Sequence, residues 1–208
     1  MTETPVWVAL FPLNTILFPD GVLPLRVFET RYVDMVRDCM KSGAPFGVIG
    51  IKSGQETGAA AEPYSVGTLA SITEWDMPEF GVLLIQTRGG QRFRIEETRL
   101  LPNQLLQARI SLINADEPVD GGTALPVCAK VLRVVIDDLL ERARAEHGAE
   151  FINPFAEPYR LDDPAWVANR WCEMLPIEHQ EKQRLLEMTD AAARLQCVQD
   201  YLEENGVL

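Results

Sequence analysis

Histidine occurs twice in 208 residues and cysteine four times, so most side-chain chemistry is scarce in this chain before any pattern is sought. His147 precedes a glycine at a predicted helix end, and His179 opens a charged helix. Both read as capping or solvated groups, since a cation suits the negative end of a helix dipole. No Ser-His-acid set and no GxSxG elbow can be assembled around them. Cys39, Cys128, Cys172 and Cys197 are far apart, with no CxxC pair and no histidine at metal-ligand spacing. They are expected to be reduced, half-buried packing residues. The GxxxxGK[ST] phosphate loop and the GxGxxG fingerprint are both missing, and Gly47 and Gly50 sit in an apolar strand with no helix opening after them. The acidic pairs Asp137-Asp138 and Asp162-Asp163 are poor metal sites, because neighbours on a helix point apart and the second pair reads as a helix cap. The expectation is a protein with no catalytic residue, no cofactor and no metal.

Other absences narrow the class further. No apolar run approaches the roughly 20 residues that span a bilayer, and the opening "MTETPVWVALFPL" has no basic stretch of the secretory kind. A cytoplasmic protein without membrane contact is therefore expected. Cations are in deficit, with a formal net charge of −12. The deficit is uneven: residues 1–115 hold 10 basic against 12 acidic groups, and residues 116–208 hold 9 against 19. An acidic chain repels phosphate backbones and anionic lipid, which disfavours nucleic acid as a partner. The one basic cluster is "RGGQRFR", with Arg88, Arg92 and Arg94, read here as the solvated face of a hairpin.

What is present is an ordinary globular composition, 47% hydrophobic and 24% charged. The first half is rich in strand patterns. "PVWVALFPL" and "GVLPLRVF" are extended, with prolines suited to strand starts, edges or bulges. "FGVIGI" (Phe46–Ile51) predicts a buried strand, and "SVGTLASITEW" (Ser65–Trp75) another. "GVLLIQTR" (Gly81–Arg88) and "QRFRIEET" (Gln91–Thr98) flank Gly89-Gly90, a two-residue hairpin signal. "QLLQARISLI" (Gln104–Ile113) closes the series. Strands this short and numerous fit a barrel or sandwich. One helix interrupts them: in "TRYVDMVRDCMKSG" the apolar stripe Tyr32, Val33, Val36, Cys39 and Met40 has helical spacing, and Gly43 follows as a C-cap. "KSGQETGAAAEP" (Lys52–Pro63) reads as a mobile surface loop.

"NADEPVDGG" (Asn114–Gly122) is the strongest composition break, and helical periodicity follows it. Leu125 to about His147 is predicted to be one long helix stopping at Gly148, with Val127, Val131, Val134, Val135, Ile136 and Leu139 inward. Asp163-Pro164 predicts a helix start and Pro176 its stop. Two more helices are expected on either side of Thr189. The reading is an α+β protein, with a β-rich domain over 1–115 and an α-helical bundle over 116–208.

The stretch "FPLNTILFPDGVLPLRVFETRYVDMV" is the most specific in the chain. With "FGVIGI", "VGTLASITEW", "GVLLIQTRGGQRFRI" and "DPAWVANRWCEMLPIEHQEKQRLLEMTDAAARLQCVQDYL" in collinear order, it resembles the Lon protease N-terminal domain family. The resemblance runs from about Val6 to Leu202. It implies a β-rich pseudobarrel related to PUA-like domains, with one inserted helix, followed by a helical bundle. It also implies a role in collecting protein substrates and in assembly, ahead of ATPase and Ser-Lys protease modules that this chain does not contain. The expectation is a stand-alone, non-catalytic recognition module for unfolded or apolar polypeptide segments, an adaptor serving a protease complex or protein quality control. An RNA-binding protein using Arg88, Arg92 and Arg94 is the alternative that the PUA-like relation leaves open.

Within the motif, Phe28 and Tyr32 straddle a strand-to-helix junction and are expected to wedge the helix against the barrel, with Glu29 and Arg31 pairing across it. Leu17, Phe18, Pro19 and Val22 flank the Asp20-Gly21 turn and are predicted to contact peptide, because apolar residues beside an exposed turn are suited to that task. Trp75, Met77, Pro78 and Phe80 form a second apolar cluster at a strand-to-turn junction, either a peptide patch or core and turn packing.

Overall fold

The structure is a computed structural model and describes residues 7–147 and 153–208, without the side chain of His147. Pro5 and Val6 of the predicted first strand, and the predicted helix stop at Gly148, lie outside the described residues. The elements in chain order are β1 (Trp7–Leu13), β2 (Val22–Val27), α1 (Thr30–Ser42), β3 (Phe46–Ser53), β4 (Glu62–Glu79), β5 (Val82–Leu100), β6 (Leu106–Leu112), α2 (Ala124–His147), α3 (Pro164–Met174), α4 (His179–Glu187) and α5 (Ala191–Glu204). They form two compact units. One joins the chain up to Ala115 to Ile177–Leu186; the other holds Asp116–Pro176 and Glu187–Leu208. A boundary drawn only at the composition break after residue 115 therefore misplaces the segment that carries α4.

In the first unit six strands follow the order β2-β5-β4-β3-β1-β6, and β5 also pairs with β6, which closes the sheet on itself. Only β1 and β3 run parallel. A parallel pair needs a long crossover, and here β2 and α1 supply it. The core is formed by inward residues from every layer, including Phe11, Val27, Tyr32, Val36, Phe46, Val48, Leu83 and Ile85. A second cluster gathers around Leu10, Ile49, Phe93 and Ala108. Helix α1 is as its stripe predicts: Tyr32, Val33 and Val36 are buried, and Gly43 ends it at φ 70°, a left-handed cap that glycine takes without a Cβ clash.

Gly89-Gly90 is not a hairpin turn. Both lie inside β5, a strand of 19 residues. Up to Arg88 one edge of β5 pairs with β2, and from Phe93 the same edge pairs with β6. The glycines mark the change of partner. The "LFPDG" loop presses against Gly89 there: Asp20 N–H donates to the Gly89 carbonyl at 2.8 Å, and Gly89 N–H donates to the Gly21 carbonyl at 2.8 Å. A Cβ on Gly89 would lie 2.3 Å from the Phe18 carbonyl oxygen, so only glycine lets the backbones approach this closely. The true hairpin is one strand earlier, where Phe80-Gly81 joins Glu79 to Val82 and Gly81 takes φ 83°. Lys52–Pro63 is also more ordered at its ends than its composition implies. Strands reach Ser53 and start at Glu62, and Lys52 pairs with Glu62 at 2.9 Å.

In the second unit α2, α3 and α5 contact one another pairwise. The inner side of α2 is Ala124, Cys128, Ala129, Leu132, Ile136 and Leu140. Of the expected inner face, Ile136 is buried and Val131 and Val135 are half-buried, but Val127, Val134 and Leu139 are exposed. Stripes at i, i+4 and i+8 exist on both sides of this helix, and the larger Leu and Ile side chains take the inner one. Asp163 caps α3 as predicted, accepting from the N–H groups of Ala165 at 2.9 Å and Trp166 at 3.3 Å, and Pro164 occupies the first turn. Asp163→Ala is expected to lower stability by about 1 kcal/mol, read as a shift in urea midpoint at unchanged slope.

Candidate functional site

The apolar side chains left in solvent are not those beside Asp20-Gly21. Leu17 and Phe18 are fully buried, and Pro19 and Val22 are half-buried. The loop that carries them folds onto β4 and β5, where Thr68 Oγ1 donates to the Leu17 carbonyl at 2.6 Å. Hydrogen bonding of its backbone drew these residues inward, and no pattern within the loop announces it.

The second predicted cluster stays out. Around the β4–β5 hairpin Trp75 is 55% exposed, Met77 41% and Phe80 99%, so the packing reading of this cluster does not hold. Strand alternation explains a neighbour that sequence reasoning passed over. Leu83 and Ile85 turn into the core, so Leu84 between them must face out, and it does. Phe28 is likewise exposed at 58%, contrary to its expected wedge role. It follows Val27, which stands opposite Leu83, so it comes level with the start of β5. There it borders a cleft of about 190 Å³ with Phe11, Pro24 and Tyr32. Trp75 stands opposite Ile85 and borders a cleft of about 250 Å³ with Cys39 and Met40 of α1, Gly43, Ala44 and the stretch Ser71–Thr73. Large apolar side chains thus gather at one end of the sheet. Isolated exposed residues are common, whereas a concentration of large ones is unusual on a protein surface.

The rest of the "FETRY" motif is structural. Glu29 and Arg31 form an ion pair at 2.8 Å. Arg31 Nη1 donates to the Gln104 carbonyl at 3.0 Å, and its guanidinium lies 4.7 Å from the Tyr32 ring centre. Tyr32 stacks on Phe11 at 4.1 Å, and burial pushes its hydroxyl pKa up, with Arg31 opposing. The motif ties α1 to β1 and to the loop before β6.

The basic cluster is a solvated face only in part. Arg92 is 4% exposed and donates to the Leu186 carbonyl at 2.8 Å, and Arg88 pairs with Asp20 at 2.8 Å. Arg94 is exposed. His179 is half-buried against the Tyr64 ring, 5.7 Å between centres, rather than solvated. None of the four cysteines is in a disulfide: Cys39 and Cys197 are half-buried, and Cys128 and Cys172 are fully buried. Burial raises the Cys128 thiol pKa to about 11, which keeps it protonated and unreactive at neutral pH. Among the described residues no group of three metal-ligating side chains converges, and no helix is long and apolar enough to cross a membrane.

Comparison with known proteins agrees with this architecture. The chain is 29% identical to Lon protease of Anaeromyxobacter dehalogenans (strain 2CP-C) over 205 residues, and 30% identical to Lon protease 2 of Myxococcus xanthus over 206. Each alignment takes in 96% of this chain but only 23% and 24% of the relative, so the chain spans about a quarter of the curated proteins it matches. Among solved structures, a Lon N-terminal domain protein from Xanthomonas campestris superposes with a TM-score of 0.70 at 31% identity, covering 93% of this chain and 96% of that one. The N-terminal domain of Mycobacterium avium complex Lon protease shares the fold, with a TM-score of 0.65 at 21% identity over 95% of this chain and 98% of that one. The model of one family, the ATP-dependent protease La (LON) substrate-binding domain, matches residues 7–204. The match over nearly the whole chain shows that it belongs to the LON substrate-binding domain family.

Proposed function

We propose that this chain is a non-catalytic recognition module that holds unfolded or apolar polypeptide segments, as an adaptor in proteolysis or protein quality control alongside a protease complex. One observation carries the reading: Phe80 leaves its whole ring in water at the tip of a hairpin that also exposes Trp75, Met77 and Leu84. Family membership supports the class of ligand. Each Å² of apolar area covered contributes about 25 cal/mol before ordering costs, so the apolar contacts taken alone give modest affinity with little dependence on salt. The RNA alternative is poorly supported, because Arg92 is buried and Arg88 is ion-paired.

An unfolded casein-like protein or an apolar peptide is expected to shift amide resonances of Trp75–Leu84. The double variant Trp75→Ala, Phe80→Ser should weaken binding about tenfold or more, given about 1.5–3 kcal/mol for burying a large apolar side chain. A broad panel of apolar peptides that moves no resonance, or a double variant that binds as the parent does, overturns the reading.

A further inference from the structure

The pairing of β4 is incomplete on one side. Phe46 opposite Ala70 is the last pairing between β3 and β4, while the other edge of β4 stays paired to β5 as far as Glu79 opposite Val82. The edge from Ser71 onward is therefore open, and among the described residues no other segment donates or accepts a backbone hydrogen bond there. Pro78 has no N–H, and Met77 N–H is taken by the Asp76 carboxylate at 2.8 Å, so the usable edge is Ser71–Asp76. This edge borders the cleft of about 250 Å³ against Cys39 and Met40.

The charge on this stretch has one sign. Glu74, Asp76 and Glu79 are exposed, and residues 71–79 contain no cation. In the stretch of β5 that pairs with these residues, Val82–Arg88, the one cation is Arg88, which pairs with Asp20. Acidic side chains and a proline are what open edges carry to prevent self-association. Two copies meeting here would set like charges opposite one another, which is destabilising. An extended segment with basic residues would instead find opposite charges across the new pairing.

We propose that Ser71–Asp76 is a β-addition site, which takes one extended polypeptide segment whose basic residues alternate with apolar ones. The segment continues the line of β3 along β4. Its backbone pairs with the open edge, its apolar side chains enter the cleft beside Trp75, and its cations meet Glu74 and Asp76. This rests on the polypeptide-binding reading above and adds the conformation and charge of the bound segment. Main-chain pairing supplies affinity in such a mode, and alternate side chains supply selectivity.

The test uses the whole chain, isotope-labelled, with three ten-residue peptides: alternating Lys-Val, alternating Glu-Val, and the Lys-Val peptide N-methylated at every second residue. The Lys-Val peptide is expected to shift Ser71–Asp76 amides and slow their hydrogen exchange. Binding should be at least tenfold tighter than for Glu-Val, lost on N-methylation, and reduced severalfold by 0.5 M salt. Glu74→Lys with Asp76→Lys, two exposed positions that leave the core intact, should cut Lys-Val affinity about tenfold. Equal binding of the N-methylated peptide, equal binding of Glu-Val, or shifts confined to Phe80 and Leu84 would each overturn β-addition while leaving apolar recognition standing. Failure of all apolar peptides to bind removes both.

Discussion

Arg194→Ala is expected to destabilise the helical unit by about 3–5 kcal/mol, the loss seen when one member of a buried ion pair is removed. Its side chain is 1% exposed. One guanidinium nitrogen reaches Asp116 at 2.7 Å and Asn169 at 3.0 Å, and another reaches the Met188 carbonyl. A single cation on α5 thus holds the segment before α2, a side chain of α3 and the turn before α5. Truncation would leave the Asp116 carboxylate, itself 7% exposed, without that charge. Urea unfolding followed by fluorescence reads the effect, since Trp166 and Trp171 are buried in this unit. Combining Arg194→Met with Asp116→Asn removes both charges and should recover part of the loss. A midpoint for Arg194→Ala within experimental error of the parent would mean that the network adds nothing.

Gly89→Ala is expected to cost about 3 kcal/mol or more, at the upper end for forcing atoms into a packed site. The added carbon would meet the Phe18 carbonyl oxygen at 2.3 Å. That oxygen is main chain and already accepts from Gly21 N–H, so it cannot swing aside. Gly90→Ala is the control. Its added carbon would lie 3.4 Å from the Leu69 carbonyl oxygen, within ordinary contact. Alanine is favoured over glycine in a strand by about 0.5–1 kcal/mol, so this neighbour should be neutral or slightly stabilising. Thermal unfolding of the pair, followed by circular dichroism, separates a steric requirement at one position from a general taste for glycine. Equal melting temperatures for the two variants would contradict it.

Much of this fold is legible because its signals are local. The stripe of α1 ends at the glycine that caps it, and Asp163-Pro164 opens α3. What stayed hidden depends on partners distant in the chain. Gly89-Gly90 has the composition of a tight turn, and only the approach of the Phe18 backbone, some 70 residues earlier in sequence, makes it a change of strand partner. Arg92 alternates with apolar neighbours as a solvated residue would, yet its acceptor is 94 residues away at Leu186. Helix α2 has two apolar sides, and sequence alone does not say which one its partners cover. At the candidate site, Leu17 and Phe18 looked as exposed as Trp75 and Phe80. The first pair precedes a turn folded against a sheet, and the second surrounds a turn at the sheet's end.

The return of Ile177–Leu186 to the first unit has a consequence for how the molecule is made. Arg92 and Gln183 secure that return, the first by donating to the Leu186 carbonyl and the second to the Val66 carbonyl at 3.0 Å. A ribosome that has released residue 115 has delivered every strand, but not the acceptor for a buried guanidinium. Synthesis in the N-to-C direction normally lets the leading domain finish first; here it must wait until most of its successor has emerged. A fragment cut at the composition break would inherit the same vacancy permanently, so a dissection of this protein must keep the strand-bearing half and the helix near residue 180 on one piece of chain.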